Sequence, residues 1–194
     1  MPIPSRTEAA VLLNGLAPSE KLLNHSAAVA EIAAFICAAM TRRGVALNTP
    51  LVESAALLHD IDKALPAGDA YRALGHGTGG AAWLRANGYG ELADVVAPHP
   101  VYVLGDAASY DAWAAQASLE ARIVAYADKR AIQDLVRLDE RFERWYGRYP
   151  DSAMLPVAHE RAGQLEREIC AAAGIEPADV RRLAWVDDAM RAAA

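Results

Sequence analysis

Four residues of the sequence place imidazole and carboxylate groups in apolar surroundings: His25, the adjacent pair His59 and Asp60, and Asp128. The pair follows the apolar run 55–58. An aspartate in such a place needs a partner, because an unpaired buried carboxylate is strongly unfavourable. A divalent cation satisfies imidazole and carboxylate together, and this mixture of ligands suits a borderline transition metal. The residue types therefore indicate a metal centre.

Each of these residues also has a purely structural interpretation when it is taken alone. His25 fits a hydrogen-bonded core histidine, and Asp128 fits an ion pair with Arg122 or Arg130. An adjacent His-Asp pair is weak by itself, since such dipeptides occur by chance. The occurrence of all four residues in this order favours the metal interpretation.

Helical periodicity explains how residues so far apart could meet. A first helix is predicted from its N-cap Ser19 to about residue 40, with His25 close to its apolar face. A second is predicted to open at Thr49, as the N-cap before Pro50, and to run into the His-Asp pair, ending near residue 63.

A third long helix is predicted over residues 119–135, with Ser118 as its cap. Asp128 follows Val124 by four positions and so joins the inner face of that helix. Between the second and third long helices, a glycine-rich turn around His76 leads into one helix and a shorter helix precedes His99. Residues 101–117 are predicted to be an irregular surface loop, and residues 139–194 to form two or three amphipathic helices.

Composition and charge bound the class of protein. Hydrophobic residues make up 54 % of the 194 residues, with alanine dominant, and no strand pattern competes, so the fold class is predicted to be all-α. The formal net charge of −6 argues against a nucleic-acid surface. No stretch approaches the about 20 unbroken apolar residues of a membrane span. The first residues lack the layout of a secretory signal, so a cytoplasmic protein is expected. Cys37 and Cys170 are expected to be buried, inert thiols.

Three strings resemble the HD phosphohydrolase superfamily: NHSAAVAEIA at 24–33, AALLHDIDK at 55–63 and IVAYADKR at 123–130. The resemblance covers roughly residues 19–135. It implies one helical domain over residues 1–194, with an HD-domain bundle at about 19–135 and additional C-terminal helices at about 136–194. Those helices could serve a homodimer.

The resemblance also implies a set of metal ligands. The first metal would be held by His25, His59, Asp60 and Asp128. Members with two metals use further histidines in the intervening region, which here would be His76 and His99, with Asp60 bridging the ions. The alternative for His76 is an exposed polar residue in a glycine-rich turn, and the alternative for His99 is a loop histidine between two prolines. From their positions beside these ligands, Lys63 is predicted to bind substrate and stabilise transition-state charge, and Arg130 to contact phosphate or hold Asp128; a solvated or structural cation is the alternative for both. Asp62 is predicted to support a ligating imidazole, with a surface carboxylate as the alternative.

The implied activity is hydrolysis of a phosphate ester or phosphoanhydride of a small nucleotide-like substrate by metal-bound water. The nearest relatives in pattern are symmetrical dinucleoside tetraphosphate hydrolases, although ADKRAIQDL departs from them after Asp128. Iron, manganese, cobalt, nickel and zinc all suit the ligands. Two alternatives are a di-iron oxygenase of the same fold and a regulatory module that binds metal or nucleotide without turnover.

Overall fold

The structure, a computed structural model, describes residues 3–193, which form α-helices and no strand. This confirms the all-α class. Two 3-10 turns lie at Arg72–Leu74 and Pro177–Asp179, and Ala131 and Leu135 form an isolated bridge. The helices are α1 (Arg6–Asn14), α2 (Glu20–Arg42), α3 (Thr49–Leu58), α4 (Ile61–Ala64), α5 (Thr78–Ala86), α6 (Gly90–Val96), α7 (Val101–Gly105), α8 (Ala107–Gln116), α9 (Leu119–Lys129), α10 (Leu138–Arg148), α11 (Met154–Ala173) and α12 (Val186–Ala192).

Side-chain caps begin the three helices that carry the site. Ser19 accepts a hydrogen bond from the Leu22 amide at the start of α2, and Ser118 caps α9 in the same way. The cap of α3 is Asn48 rather than the predicted Thr49, which is the first helical residue. The difference of one residue arises because the Asn48 amide oxygen reaches the Leu51 amide, leaving Thr49 and Pro50 inside the first turn.

Helix α2 is the central element of the fold and packs against α3, α9 and α11. Among the described helices it is the one whose length and composition would also suit a membrane span, although the sequence showed no unbroken apolar run of that length. Of the most apolar window of α2, 83 % is buried inside the protein. Burial among its neighbours therefore accounts for its apolar composition.

Three further predictions about secondary structure were wrong. The helix that begins at Thr49 ends at Leu58 and does not continue to residue 63, because His59 and Asp60 form a turn before α4. Residues 101–117 are not an irregular loop but contain α7 and α8, with Asp106 capping α8 through the Ser109 amide. Because only Trp113 of α8 is buried, no apolar periodicity marks this helix. Helix α9 ends at Lys129 rather than near residue 135, since the chain turns sharply into the bridge at 131–135.

The C-terminal helices pack onto the elements of the site. Helix α11 contacts α7 and α9, and α12 contacts α1. A buried carboxylate on α2 anchors the last segment: Glu31 accepts hydrogen bonds from Arg182 Nε at 2.8 Å, Trp185 N at 3.1 Å and Val186 N at 3.2 Å. The segment that follows α11 is thereby tied to the helix at the centre of the core.

His159 on α11 is partly buried between two helices. Its ring stacks on Phe142 of α10 with centroids 4.2 Å apart, and its nitrogens contact Tyr146 Oη and Asp139 Oδ1, each at 3.2 Å. Helices α10 and α11 lie side by side, so the imidazole serves as a packing contact between them.

Candidate metal centre

Three helical segments bring the predicted ligands to one point. His25 lies in the second turn of α2, Asp128 lies in the last turn of α9, and His59 and Asp60 occupy the junction between α3 and α4. All four are buried, with exposed fractions of 8 % or less. Polar groups so far from solvent must satisfy one another or a ligand.

The first cluster consists of His25, His59, Asp128 and the Oδ2 atom of Asp60. His25 Nε2 lies 3.2 Å from His59 Nε2, 3.2 Å from Asp128 Oδ1 and 3.5 Å from Asp60 Oδ2. His59 Nε2 lies 3.7 Å from Asp128 Oδ1 and 3.6 Å from Asp60 Oδ2. Two ring nitrogens and two carboxylate oxygens therefore face a common centre.

The second cluster consists of His76, His99 and the other oxygen of Asp60, Oδ1. His76 Nε2 and His99 Nε2 are 3.2 Å apart, and each lies 3.4 Å from Asp60 Oδ1. Asp62 stands behind His76, with Oδ2 3.1 Å from the Nδ1 atom. Asp60 is thus shared by the two clusters, one oxygen facing each.

The hydrogen bonds of the imidazoles decide which nitrogen is free. Each Nδ1 atom faces an oxygen acceptor: Ile132 O at 2.8 Å for His25, Ala56 O at 2.8 Å for His59, Val96 O at 2.7 Å for His99, and Asp62 for His76. A backbone carbonyl or carboxylate accepts but cannot donate, so Nδ1 carries the proton in every ring. In the neutral imidazole, Nε2 then presents a lone pair.

Facing Nε2 atoms are satisfied by a proton on one of them or by a metal ion between them. In both clusters two Nε2 atoms face each other at 3.2 Å, which is repulsive when both are unprotonated and no ion is bound. Two nitrogens each about 2.1 Å from one ion are about 3.0 Å apart at a right angle and about 3.4 Å apart in a tetrahedron. Asp60 Oδ1 is buried and has no hydrogen-bond partner within residues 3–193. The donor set therefore fits divalent metal binding.

The carboxylates of both clusters are held in their ionised form. Burial acts to raise the pKa of Asp60, but His59, His99 and Lys63 outweigh it and hold the pKa well below its ordinary value. Burial likewise opposes ionisation of Asp128, and Lys129 with His25 and His59 lowers its pKa well below the ordinary value. The carboxylates of Asp60 and Asp128 are therefore ionised and available as ligands throughout the physiological pH range.

The buried histidines His59 and His99 are shifted in opposite directions. Burial lowers the pKa of His59, but the carboxylates of Asp60 and Asp128 reverse this effect and the net pKa is raised. Burial dominates at His99 and lowers its pKa to about 4, although Asp60 acts in the other direction. Without metal, His99 thus stays neutral well below the pH at which a solvent-exposed histidine takes up a proton.

This shift predicts an acid-dependent loss of stability in the metal-free protein. The pKa of His99 is near 6.5 in the unfolded chain and about 4 in the fold, so the unfolded state binds more protons between these values. Its contribution is full above pH 6.5 and is lost as the pH falls toward 4. From this group alone, the free energy of unfolding is expected to be about 2 kcal/mol lower at pH 5 than at pH 7.

Denaturant unfolding of chelated wild-type protein and of chelated His99→Asn at pH 5 and pH 7 measures the contribution of His99 to the free energy of unfolding. The asparagine amide can keep the hydrogen bond to the Val96 carbonyl. The raised pKa of His59 changes stability with pH in the opposite direction, but His59 is present in both proteins. The difference between pH 7 and pH 5 should shrink by about 2 kcal/mol in the variant. An unchanged difference would show that His99 does not titrate as expected.

A glycine fixes the turn that carries His76. Gly77 has φ +79°, and a Cβ atom there would lie 2.7 Å from Pro100 Cγ and 2.8 Å from the Ala97 carbonyl oxygen. Residues 97–100 also carry His99, so the two histidine segments are in direct contact at this glycine. The close approach of the segments places both rings at the second cluster.

Gly77→Ala should therefore destabilise the protein more than a glycine replacement in open space. Gly88 is the matched control, because it has φ +88° and a Cβ atom there would meet nothing within 4 Å. Both alanine variants carry the strain of positive φ, but only Gly77→Ala must displace backbone. Its free energy of unfolding should be about 1–3 kcal/mol lower than that of Gly88→Ala. Equal melting temperatures of the two variants would exclude this role for Gly77.

Two lysines contact the cluster carboxylates in different surroundings. Lys63 Nζ lies 2.7 Å from Asp60 Oδ2 with its side chain 48 % exposed. Lys129 is fully buried, and its Nζ donates to Asp128 Oδ2 at 3.0 Å and to the carbonyl of His99. Burial lowers the pKa of Lys129, with Asp128 opposing the shift. Lys63 can thus reach a substrate, whereas Lys129 joins the two clusters from inside the core.

The structure does not bring Arg130 to the clusters. Its guanidinium donates to Tyr126 Oη at 2.6 Å, to Glu166 Oε1 at 2.8 Å and to two backbone carbonyls. Of the two interpretations of Arg130, the structure therefore favours the structural cation, which joins α9 to α11, over contacts with phosphate or with Asp128. The reason is that Arg130 follows the last residue of α9, where the chain turns away from the inner face.

Comparison with known proteins adds one finding. The sequence model described as HD domain matches residues 22–132, more than half of the chain. No curated protein and no solved structure matches this chain. The matched region contains every histidine and aspartate of the two clusters and ends before α10.

Proposed function

The chain belongs to the HD domain family, and from this premise we propose that it is a metal-dependent phosphohydrolase that uses two divalent ions. The observation that carries the proposal is the pair of opposed Nε2 atoms in each cluster, with one oxygen of Asp60 facing each pair. One ion in each cluster would remove both repulsions and give the unpartnered Asp60 Oδ1 its ligand bond. His25, His59, Asp128 and Asp60 would hold the first ion, and His76, His99 and Asp60 the second.

Bound divalent ions supply a water molecule of lowered pKa and neutralise charge on a phosphoryl group. The chain's own residues set the geometry for this chemistry. Asp60 keeps the two clusters in register, and the carbonyls behind His25, His59 and His99 keep each Nε2 directed inward. Lys63 is half exposed beside Asp60, where its ammonium group can stabilise charge that develops on phosphoryl oxygens.

The chemistry of this site supports a proposal for the substrate class. Ions together with Lys63 favour a phosphate ester or anhydride, and we propose a small nucleotide-like molecule. A local positive charge of this kind recruits an anionic substrate even though the chain carries a net charge of −6. Whether the substrate is a dinucleoside polyphosphate or a simpler ester is decided by assay.

A metal-dependent phosphatase panel tests the proposal. Chelated protein is reloaded with manganese, iron, cobalt, nickel or zinc and assayed on phosphomonoesters, phosphodiesters, nucleoside phosphates and dinucleoside tetraphosphates. Phosphate release that requires metal, with two ions bound per chain, is the expected result. Activity that survives thorough chelation would contradict it, as would two irons with oxygen uptake. A ligand-induced melting shift without product on any substrate would favour a binding module instead.

A further inference from the structure

Arg141 brings a further cation to the first cluster from outside the region that the family model matches. It lies on α10, and its Nη2 atom is 3.8 Å from Asp128 Oδ1, the oxygen that also faces His25 Nε2. This separation allows attraction but exceeds the length of a hydrogen bond. The side chain is only 17 % exposed. A mostly buried guanidinium thus faces the cluster without bonding to it.

One donor of the Arg141 guanidinium is left without a partner by the described residues. Its Nε atom is buried and has no hydrogen-bond partner among the described residues. A buried donor without a partner is unfavourable and uncommon, so its presence calls for a ligand that completes it. Arg130 makes the contrast clear, because that guanidinium donates to four acceptors of the protein.

Trp145 holds the Arg141 guanidinium in a defined place. Arg141 Cζ lies 4.2 Å from the centroid of the Trp145 ring, and the two residues are four positions apart on α10. Stacking fixes the plane of the guanidinium, which can then offer parallel N–H groups to two oxygens of one phosphate. Arg141 is therefore oriented before any anion binds.

The two cations flank the first cluster. Lys63 contacts Asp60 Oδ2 and Arg141 faces Asp128 Oδ1, and these oxygens lie 3.5 Å and 3.2 Å from His25 Nε2. We propose that Arg141 is a substrate-binding residue whose guanidinium holds phosphoryl oxygens of the substrate beside the first cluster. The inference rests on the proposed function and adds to it a residue from α10, so that the C-terminal extension completes the substrate site.

Binding of inorganic phosphate tests Arg141 without turnover. Manganese-loaded wild type, Arg141→Gln and Arg141→Lys are titrated with phosphate by calorimetry, with sodium chloride of equal ionic strength as the blank. Phosphate affinity should fall about tenfold or more in Arg141→Gln, because a charge-assisted pair of hydrogen bonds is lost. Arg141→Lys should be intermediate, since it keeps the charge but not the planar fork. In turnover, KM should rise more than kcat falls.

Arg148→Gln is the matched control. Arg148 lies on the same helix and also stacks on an aromatic ring, with Cζ 5.4 Å from the Tyr149 centroid, but it is exposed. Its replacement removes the same charge and should leave phosphate affinity within about twofold of wild type. Metal content is measured for every variant and restored with manganese before titration, so that a change in metal affinity is not mistaken for a change in phosphate affinity.

Two results would overturn the inference. One is unchanged phosphate affinity and unchanged KM in Arg141→Gln. The other is a phosphate affinity of Arg141→Lys equal to that of wild type. This second result decides the matter if Arg141→Gln fails to fold. Phosphate binding that depends on Arg141 in a protein that hydrolyses no ester would support this inference while the proposed function fails. Hydrolysis by wild type together with unaltered phosphate affinity in Arg141→Gln would support the proposed function while this inference fails.

Discussion

Asp60→Asn is expected to lower metal-dependent phosphate release by about a thousandfold or more, equivalent to about 4 kcal/mol in the barrier. Its two carboxylate oxygens face different clusters, so a single substitution removes a charged ligand from both. Asparagine keeps the shape of the side chain but not the negative charge that would balance the two proposed divalent ions. Metal content by mass spectrometry should fall at both clusters, while circular dichroism shows an intact helical fold.

Asp62→Asn is the matched control for this substitution. Asp62 is also buried, at 4 % exposed, but its carboxylate contacts only the Nδ1 atom of His76 among the histidines of the clusters. Loss of such a supporting contact typically lowers metal affinity by about 10- to 100-fold, and the second cluster alone should be affected. Full activity with two bound ions in Asp60→Asn would contradict the shared role of Asp60.

Lys129→Met should lower the free energy of unfolding of the metal-free protein by about 3–5 kcal/mol. Methionine fills similar space, but Asp128 Oδ2 and the His99 carbonyl lose their buried donor. A buried carboxylate stripped of its cation is strongly unfavourable, since no solvent can replace the lost interaction. Denaturant unfolding of chelated protein measures the effect.

Lys63→Met separates stability from turnover in the same experiment. Lys63 also pairs with a cluster carboxylate but is 48 % exposed, so its replacement should change stability by at most about 1 kcal/mol. We expect kcat to fall nevertheless, because the ammonium group is positioned for charge that develops in the reaction. Similar loss of stability in both lysine variants would show that burial of Lys129 is not decisive.

The elements that carry the site could be predicted because their signals are local. Ser19 and Ser118 cap the predicted helices, and buried apolar faces repeat along α2 and α9. The types of His25 and Asp128 were informative because polar groups on such faces need partners. Helix α8 escaped prediction because it buries only Trp113 and therefore leaves no periodic pattern.

Other parts of the site depend on tertiary contacts that no local pattern encodes. The protonation state of each imidazole follows from acceptors such as Ile132 O, which reaches His25 from a turn 107 residues later. The sequence shows the charges of Lys129, Arg130 and Arg141 but not their directions. In the structure Lys129 points into the core and donates to Asp128, and Arg130 binds Glu166 on α11. Arg141 faces the first cluster.

The anchor formed by Glu31 affects how the chain matures on the ribosome. Its partners Arg182, Trp185 and Val186 are made 151 to 155 residues later. At ~5–20 residues per second, translation takes roughly 8–30 s to supply them. Until then the nascent chain holds Glu31 on the long apolar helix α2 without these hydrogen-bond partners. Completion of the core must therefore wait until these residues have been synthesised, and a chain that stalls before them is a candidate for chaperone capture.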